Sequence, residues 1–226
     1  MHRVVLRLIF DAVVVAAALF GVAGTWDWWR AWVLLLVLFV IRLGGARVVF
    51  AANPALMLER ARPPLCHGQS RRDRALVLIV LASGFVGLPI VSGLDRFWWP
   101  QLAPPPTILS ALGLGLFASG WVLKNLALRA NPFAVAAVRI QHEREHVVVD
   151  SGIYGIVRHP FYAADPLIFV GLGLWLQSYV ALWCSVIPIA VLIVRLRGEE
   201  QVLQRELLGY RAYMQRVPSR LFPGIW

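Results

Sequence analysis

The chain has 226 residues; 59% are hydrophobic, only 15% are charged, and the formal net charge is +10. With a mean hydropathy of +0.69, a water-soluble domain of this size is excluded, and the apolar runs are long enough to cross a bilayer repeatedly. The charge does not point to nucleic acid: arginine in membrane-flanking loops explains it, and Lys124 is the only lysine among the 22 basic residues.

Residues 4–24 read as a first span, retained as a membrane helix although Asp11 interrupts it. Thr25-Trp26-Asp27 forms a turn and residues 28–49 a second span. Trp26, Trp28, Trp29 and Trp32 read as an interfacial belt, with Arg42 and Arg47 snorkelling toward the far surface. A basic loop over 51–74 carries Arg60, Arg62, Arg71, Arg72 and Arg74. Residues 75–94 form a third span, 95–106 an aromatic and proline-rich turn, and 107–128 a fourth span. Residues 163–194 are apolar apart from Asp165 and break at Gln177-Ser178. They read as a hairpin, giving six crossings if both arms span and five if it acts as one tilted helix. The tail 195–226 reads as an amphipathic helix ending at Pro218.

The fold class expected is therefore all-α: a polytopic transmembrane bundle of five to six spans in one integral-membrane domain, 1–226. Residues 1–128 supply the N-terminal spans and 129–226 the catalytic region. Arginine is concentrated in the N-terminus, the 51–74 loop, the 128–160 segment and the tail, so these should face the cytoplasm. Cys66 and Cys184 make no disulfide framework.

Chemistry concentrates in residues 139–162, RIQHEREHVVVDSGIYGIVRHPFY, and in Arg195-Leu-Arg-Gly-Glu199-Glu200. His142-Glu143-Arg144-Glu145-His146 matches HExxH, the zinc-peptidase signature, which needs a helix to aim both histidines at one metal. Val147-Val148-Val149 and Asp150-Ser151-Gly152 favour extended chain and a turn instead. The motif therefore reads as chance, and no metal is expected. Tyr154, Arg158, His159 and Tyr162 stand at the membrane boundary, either as a lipid anchor or as part of a site. Arg195 and Glu199 share a helical face and would form an i,i+4 ion pair. Carboxylates ending a long apolar run need partners, for which Arg158 and His159 are candidates. Asp165 is either an N-cap or part of the site.

The pattern Asn131-Pro-Phe, Val138-Arg139-Ile140-Gln141, His146-x-x-Val149-x-x-Gly152-x-Tyr154-x-x-Val157-Arg158-His159-Pro160-x-Tyr162, Glu199-Glu200 and Gly209-Tyr210-x-x-Tyr213 resembles the isoprenylcysteine carboxyl methyltransferase family. That family shares its core with phospholipid methyltransferases. The likeness covers the last hundred residues closely and the first hundred in hydropathy alone. It departs at Ile153 and Gly155, where proline and a larger polar residue are expected, and at Ala163-Ala164-Asp165, where the family often has glycine.

The resemblance implies a membrane enzyme using S-adenosylmethionine on a lipophilic or prenylated acceptor, with its site facing the cytoplasm; the arginine-over-lysine bias, which reads as a high-GC genome, makes a bacterial inner membrane the expected location. The cofactor residues the resemblance implies are Gln141, His146, Val147, Val148, Val149, Tyr154, His159, Pro160, Phe161, Tyr162 and Glu199. Arg195 would hold substrate, and Arg195, Glu199 and Arg158 would be catalytic. A carboxylate acceptor needs no base, whereas an amine of a phospholipid would need Glu199 or Glu200 to take its proton. The competing readings are a zinc metallopeptidase on His142, Glu143 and His146, a nicotinamide-dependent membrane reductase, and a scaffold or transporter with no cofactor pocket.

Overall fold

A computed structural model describes residues 2–61, 69–100, 102–135, 141 and 144–226. Its helices are α1 (His2–Ala23), α2 (Trp29–Ala52), α3 (Pro54–Arg60), α4 (Arg71–Phe97), α5 (Thr107–Ala130), α6 (Pro160–Trp175), α7 (Tyr179–Glu206) and α8 (Tyr210–Arg216). No strand occurs among the described residues. Five helices, α1, α2, α4, α5 and α7, are long and apolar enough to cross a membrane.

A sixth, shorter apolar helix is α6. Its 16 residues reach only about 24 Å, against a hydrocarbon core of about 30 Å. It still carries the chain from one end of the bundle to the other, because Gln177-Ser178 turns at the far end as expected. Gln177 takes a positive φ of 61°, Ser178 caps α7 by accepting from the Ala181 amide at 2.9 Å, and its hydroxyl donates to Asp95 at 2.6 Å.

The two ends are chemically distinct. At one, Trp98 donates to the Val22 carbonyl at 2.7 Å, and Trp26, Trp29, Trp98 and Trp99 are exposed. Trp28 does not join that belt. It is buried and meets Phe97 edge-on at 5.2 Å. At the other end, Asn53 donates to the carbonyls of Leu128 and Arg129, and Arg60 to that of Ala134 at 2.6 Å. The arginine-rich segments grouped by charge in the sequence thus meet at one end.

The tightest seam joins α5 and α6. A Cβ added at Gly171 would stand 2.5 Å from the Phe117 amide nitrogen, and one at Gly120 would stand 2.8 Å from the Ala164 carbonyl oxygen. Only hydrogen at these positions lets the backbones touch, the usual way membrane helices associate when both faces are already apolar. This seam holds the start of α6, and with it His159 to Tyr162, against a fixed wall.

Three further expectations change. Arg42 does not snorkel outward: it pairs with Asp11 at 2.7 Å and lies 4.9 Å over the Trp121 ring, because an ion pair inside the bundle offsets the cost of an acid at membrane depth. Asp11 also takes Arg7 at 2.9 Å. The tail is not one helix. α7 ends at Glu206, Gly209 turns the chain with a φ of 83°, and α8 starts at Tyr210. Asp165 is not an N-cap, since α6 begins at Pro160 with His159 as its capping position. It pairs instead with Lys124 of α5 at 2.9 Å, both side chains being buried.

Candidate active site

The site is built where a short turn and a helix start follow one another. Gly152, with a φ of 58°, opens a short 3-10 turn over Gly152–Gly155 that buries Tyr154. The amides of Arg158 and His159 then donate to the carbonyls of Ser219 and Arg220 at 3.0 and 2.9 Å. Pro160 sits in the first turn of α6, where its missing N–H costs nothing. The C-terminal tail is thereby laid beside the RHP stretch.

Adjacent glutamates on α7 face different partners. Glu200 is 3% exposed. One of its oxygens takes Arg158 Nε at 2.8 Å and His159 Nε2 at 3.1 Å, and the other takes Arg220 Nε at 2.7 Å. Arg158 goes on to donate to the carbonyls of Val217 and Pro218, both at 2.7 Å. Glu200 therefore knots the tail to α6 and α7, and its oxygens are occupied. Glu200 is a tether, and Arg158 is held with it.

Glu199 accepts from the Tyr162 hydroxyl. Tyr162 in turn accepts from Arg195 at 2.6 Å, so the link between Arg195 and Glu199 runs through a tyrosine. Arg195 Nε reaches Asp73 at 2.8 Å, and Gln69 donates to the other Asp73 oxygen at 2.6 Å. Sequence reading missed Asp73. Its signal was present: within 51–74 only Glu59 and Asp73 are acidic, and Ser70 caps α4 by accepting from the Asp73 amide at 3.1 Å.

Glu199, Tyr162 and Arg195 open onto a cavity of about 610 Å³. Of the predicted site residues, His146, Val147, Val148, Val149, Tyr154, Arg158, His159, Phe161, Tyr162, Arg195 and Glu199 line it, while Gln141 and Pro160 do not. Gln141 is a buried strut that donates to the Phe133 carbonyl at 2.7 Å and accepts from Arg144 at 2.7 Å. Phe133 stacks on His146 with ring centres 4.3 Å apart. Gln141 thus orders the loop that presents His146. Apolar side chains complete the wall, Val4, Leu8, Leu38, Val80, Phe85 and Leu192 among others. A π-helical stretch of α4, Leu81–Gly87, lies against it.

Burial sets the hydroxyls. It pushes Tyr154 up to about 12, and pushes Tyr210 and Tyr213 above the usual phenol range. These groups stay protonated near neutrality, Tyr213 donating to the Tyr154 carbonyl at 2.7 Å. Burial, reinforced by repulsion from Arg195, lowers Arg60 to about 10.

His142 and Glu143, two thirds of the zinc-peptidase reading, lie outside the described residues, as does Cys66. His146 to Asp150 are not helical. No group of three or more His, Cys, Asp or Glu that could hold a metal occurs among the described residues.

Residues 108–208 match the family model for phospholipid methyltransferases. The matched segment is a little under half of the chain. It takes in α6, most of the polar loop before it, and α7 with Arg195 and both glutamates. Protein-S-isoprenylcysteine O-methyltransferase B of Arabidopsis thaliana is 28% identical over 153 residues, covering 64% of this chain and 71% of that protein. Over these residues the chain is similar to membrane methyltransferases of the phospholipid and isoprenylcysteine kinds.

Proposed function

We propose that the chain transfers a methyl group from S-adenosylmethionine to a lipophilic acceptor of the isoprenylcysteine carboxylate kind, with the arginine-rich end in the cytoplasm of a bacterial cell. The observation that carries this reading is the shape of one cavity. Its lining joins polar and aromatic groups of the family segment to apolar side chains of α1, α2, α4 and α7.

The residues present suit the cofactor. The volume falls within the range of small-molecule sites, about 300–1,000 Å³. The main-chain groups of Val147–Val149, on the cavity wall, make no hydrogen bond among the described residues, which leaves amides and carbonyls for a ligand. Bound there, S-adenosylmethionine would supply a methyl group on a positively charged sulfur. Glu199, steered by Tyr162, suits its ammonium group, and the faces of Tyr154 and Tyr162 suit positive charge. The apolar walls keep water out, which strengthens each charge contact. A carboxylate acceptor is already a nucleophile, so the protein's task is to position it. The second reading, a phospholipid amine, is favoured by the family match and would make Glu199 the proton acceptor, since the Glu200 oxygens are taken.

Calorimetric titration of the purified protein with S-adenosylhomocysteine tests this. Saturable binding that is lost in Glu199→Gln and retained in a surface variant is the expected result. A folded protein with no affinity would sink the cofactor assignment.

A further inference from the structure

Six cationic side chains line the cavity, and five of them are matched. Arg7 and Arg42 pair with Asp11, Lys124 with Asp165, and Arg158 with Glu200. Arg195 donates to Asp73 and Tyr162. The sixth, Arg60 at the end of α3, has no carboxylate partner among the described residues. One of its five N–H donors reaches the Ala134 carbonyl at 2.6 Å, and its guanidinium lies 4.7 Å over the Phe161 ring. Lys124 Nζ sits 3.7 Å from the centre of the same ring, and Arg195 and Arg42 are near enough to oppose the Arg60 charge.

A cation facing a low-dielectric cavity, surrounded by other cations and with most donors unused, is costly in the absence of an anion. We infer that Arg60 is the anion-receiving group of this cavity, holding an oxyanion (carboxylate or phosphate) brought in by a bound molecule. The inference rests on the proposed methyltransferase reading for which molecule carries that oxyanion: the cofactor's own carboxylate or the acceptor's. Arg195 is less suited to the task because its charge is already balanced by Asp73 and its Nε and Nη1 donate to Asp73 and Tyr162, whereas the guanidinium of Arg60, with no carboxylate among the described residues, is open to a bidentate contact. If the acceptor supplies the carboxylate, methylation turns it into a neutral ester. Arg60 then grips substrate and releases product.

The test uses the full chain in nanodiscs of zwitterionic lipid and two matched probe pairs. One pair is S-adenosylhomocysteine and its decarboxylated analogue. The other is an N-acetylated S-farnesylcysteine and its carboxamide, titrated without cofactor. Binding to wild type, Arg60→Gln and Arg60→Lys is measured by calorimetry, with thermal unfolding recorded for each. The expected result is a loss of roughly tenfold to a hundredfold for the carboxylate member of one pair in Arg60→Gln, with its neutral partner unmoved and Arg60→Lys partly restored. The pair that responds names the source of the oxyanion. Should Arg60→Gln fail to fold, the wild type must still prefer a carboxylate to its neutral partner, and Arg60→Lys must narrow that preference. Equal affinities throughout would overturn the anion role and leave the cofactor reading standing, because wild type would still bind S-adenosylhomocysteine. Failure of wild type to bind either pair would overturn both.

Discussion

Glu199 and Glu200 are neighbours in the chain but belong to different machines. Glu200 takes Arg158, His159 and Arg220 into a buried knot, while Glu199 takes the Tyr162 hydroxyl and lines the cavity. On a helix, successive side chains point about 100° apart, so one residue can face the packed tail and the next the open space.

Their replacements should therefore separate. Glu200→Gln leaves Arg158, whose side chain is 3% exposed, without its carboxylate, a defect that costs about 3–5 kcal/mol. The thermal unfolding midpoint in detergent should fall markedly. Glu199→Gln should leave that midpoint nearly unchanged and lose affinity for S-adenosylhomocysteine. Equal losses of stability in the two variants would show that the division of labour is wrong.

The α5–α6 seam gives a second expectation. Alanine at Gly171 would place a methyl group 2.5 Å from the Phe117 amide nitrogen, a backbone atom that cannot swing aside. Gly171→Ala should cost on the order of 1–3 kcal/mol. Alanine at Gly21, which meets nothing within 4 Å, should be harmless. Unfolding curves for the two variants settle this; matched midpoints would mean that the helices are not in close contact.

Alkaline pH should destabilise the fold through its buried phenols. Tyr154 is raised from about 10 to about 12 by burial. A folded-state value above the unfolded one means stability that is fully present below about pH 10 and lost as pH rises toward 12. For Tyr154 alone the amount is on the order of 2–3 kcal/mol. Unfolding midpoints measured between pH 9 and 12 should fall less steeply in Tyr154→Phe than in wild type. Parallel slopes would place this phenol in water.

Much of this architecture was legible in the sequence because the bilayer imposes simple rules. Apolar run length gave the passes, arginine placement gave the common end, and Gln177-Ser178 gave the hairpin. The family pattern named eleven residues that line the cavity. What escaped depends on distance in space rather than in sequence. Nothing near Asp73 says that it meets Arg195, 122 residues away, and Arg42 looks like a snorkelling residue until Asp11 is seen across the helix pair. Gln141 shows the opposite limit. Its place in the family pattern pointed to the cofactor, yet its amide is spent on Phe133 and Arg144. A Gly in the tail was read through as helix, although Gly209 has the positive φ that ends one helix before the next.

The Lys124–Asp165 pair allows the cleanest separation of stability from chemistry. It bridges α5 and α6 at 2.9 Å, with side chains 8% and 4% exposed, and it uses the chain's only lysine. Lys124→Met strands a buried carboxylate, and Asp165→Leu strands a buried ammonium over the Phe161 ring. Each should destabilise by about 3–5 kcal/mol. The double variant removes both charges and keeps comparable volume, so it should recover most of the loss, as apolar replacements of buried pairs often do. Unfolding free energies of the four proteins close the cycle. Additive losses would show that the two residues do not depend on each other. Because the pair also lines the cavity, the restored double variant can then be titrated with S-adenosylhomocysteine. Affinity equal to wild type would make the pair a helix clamp, and weakened affinity in an equally stable protein would make it part of the binding wall.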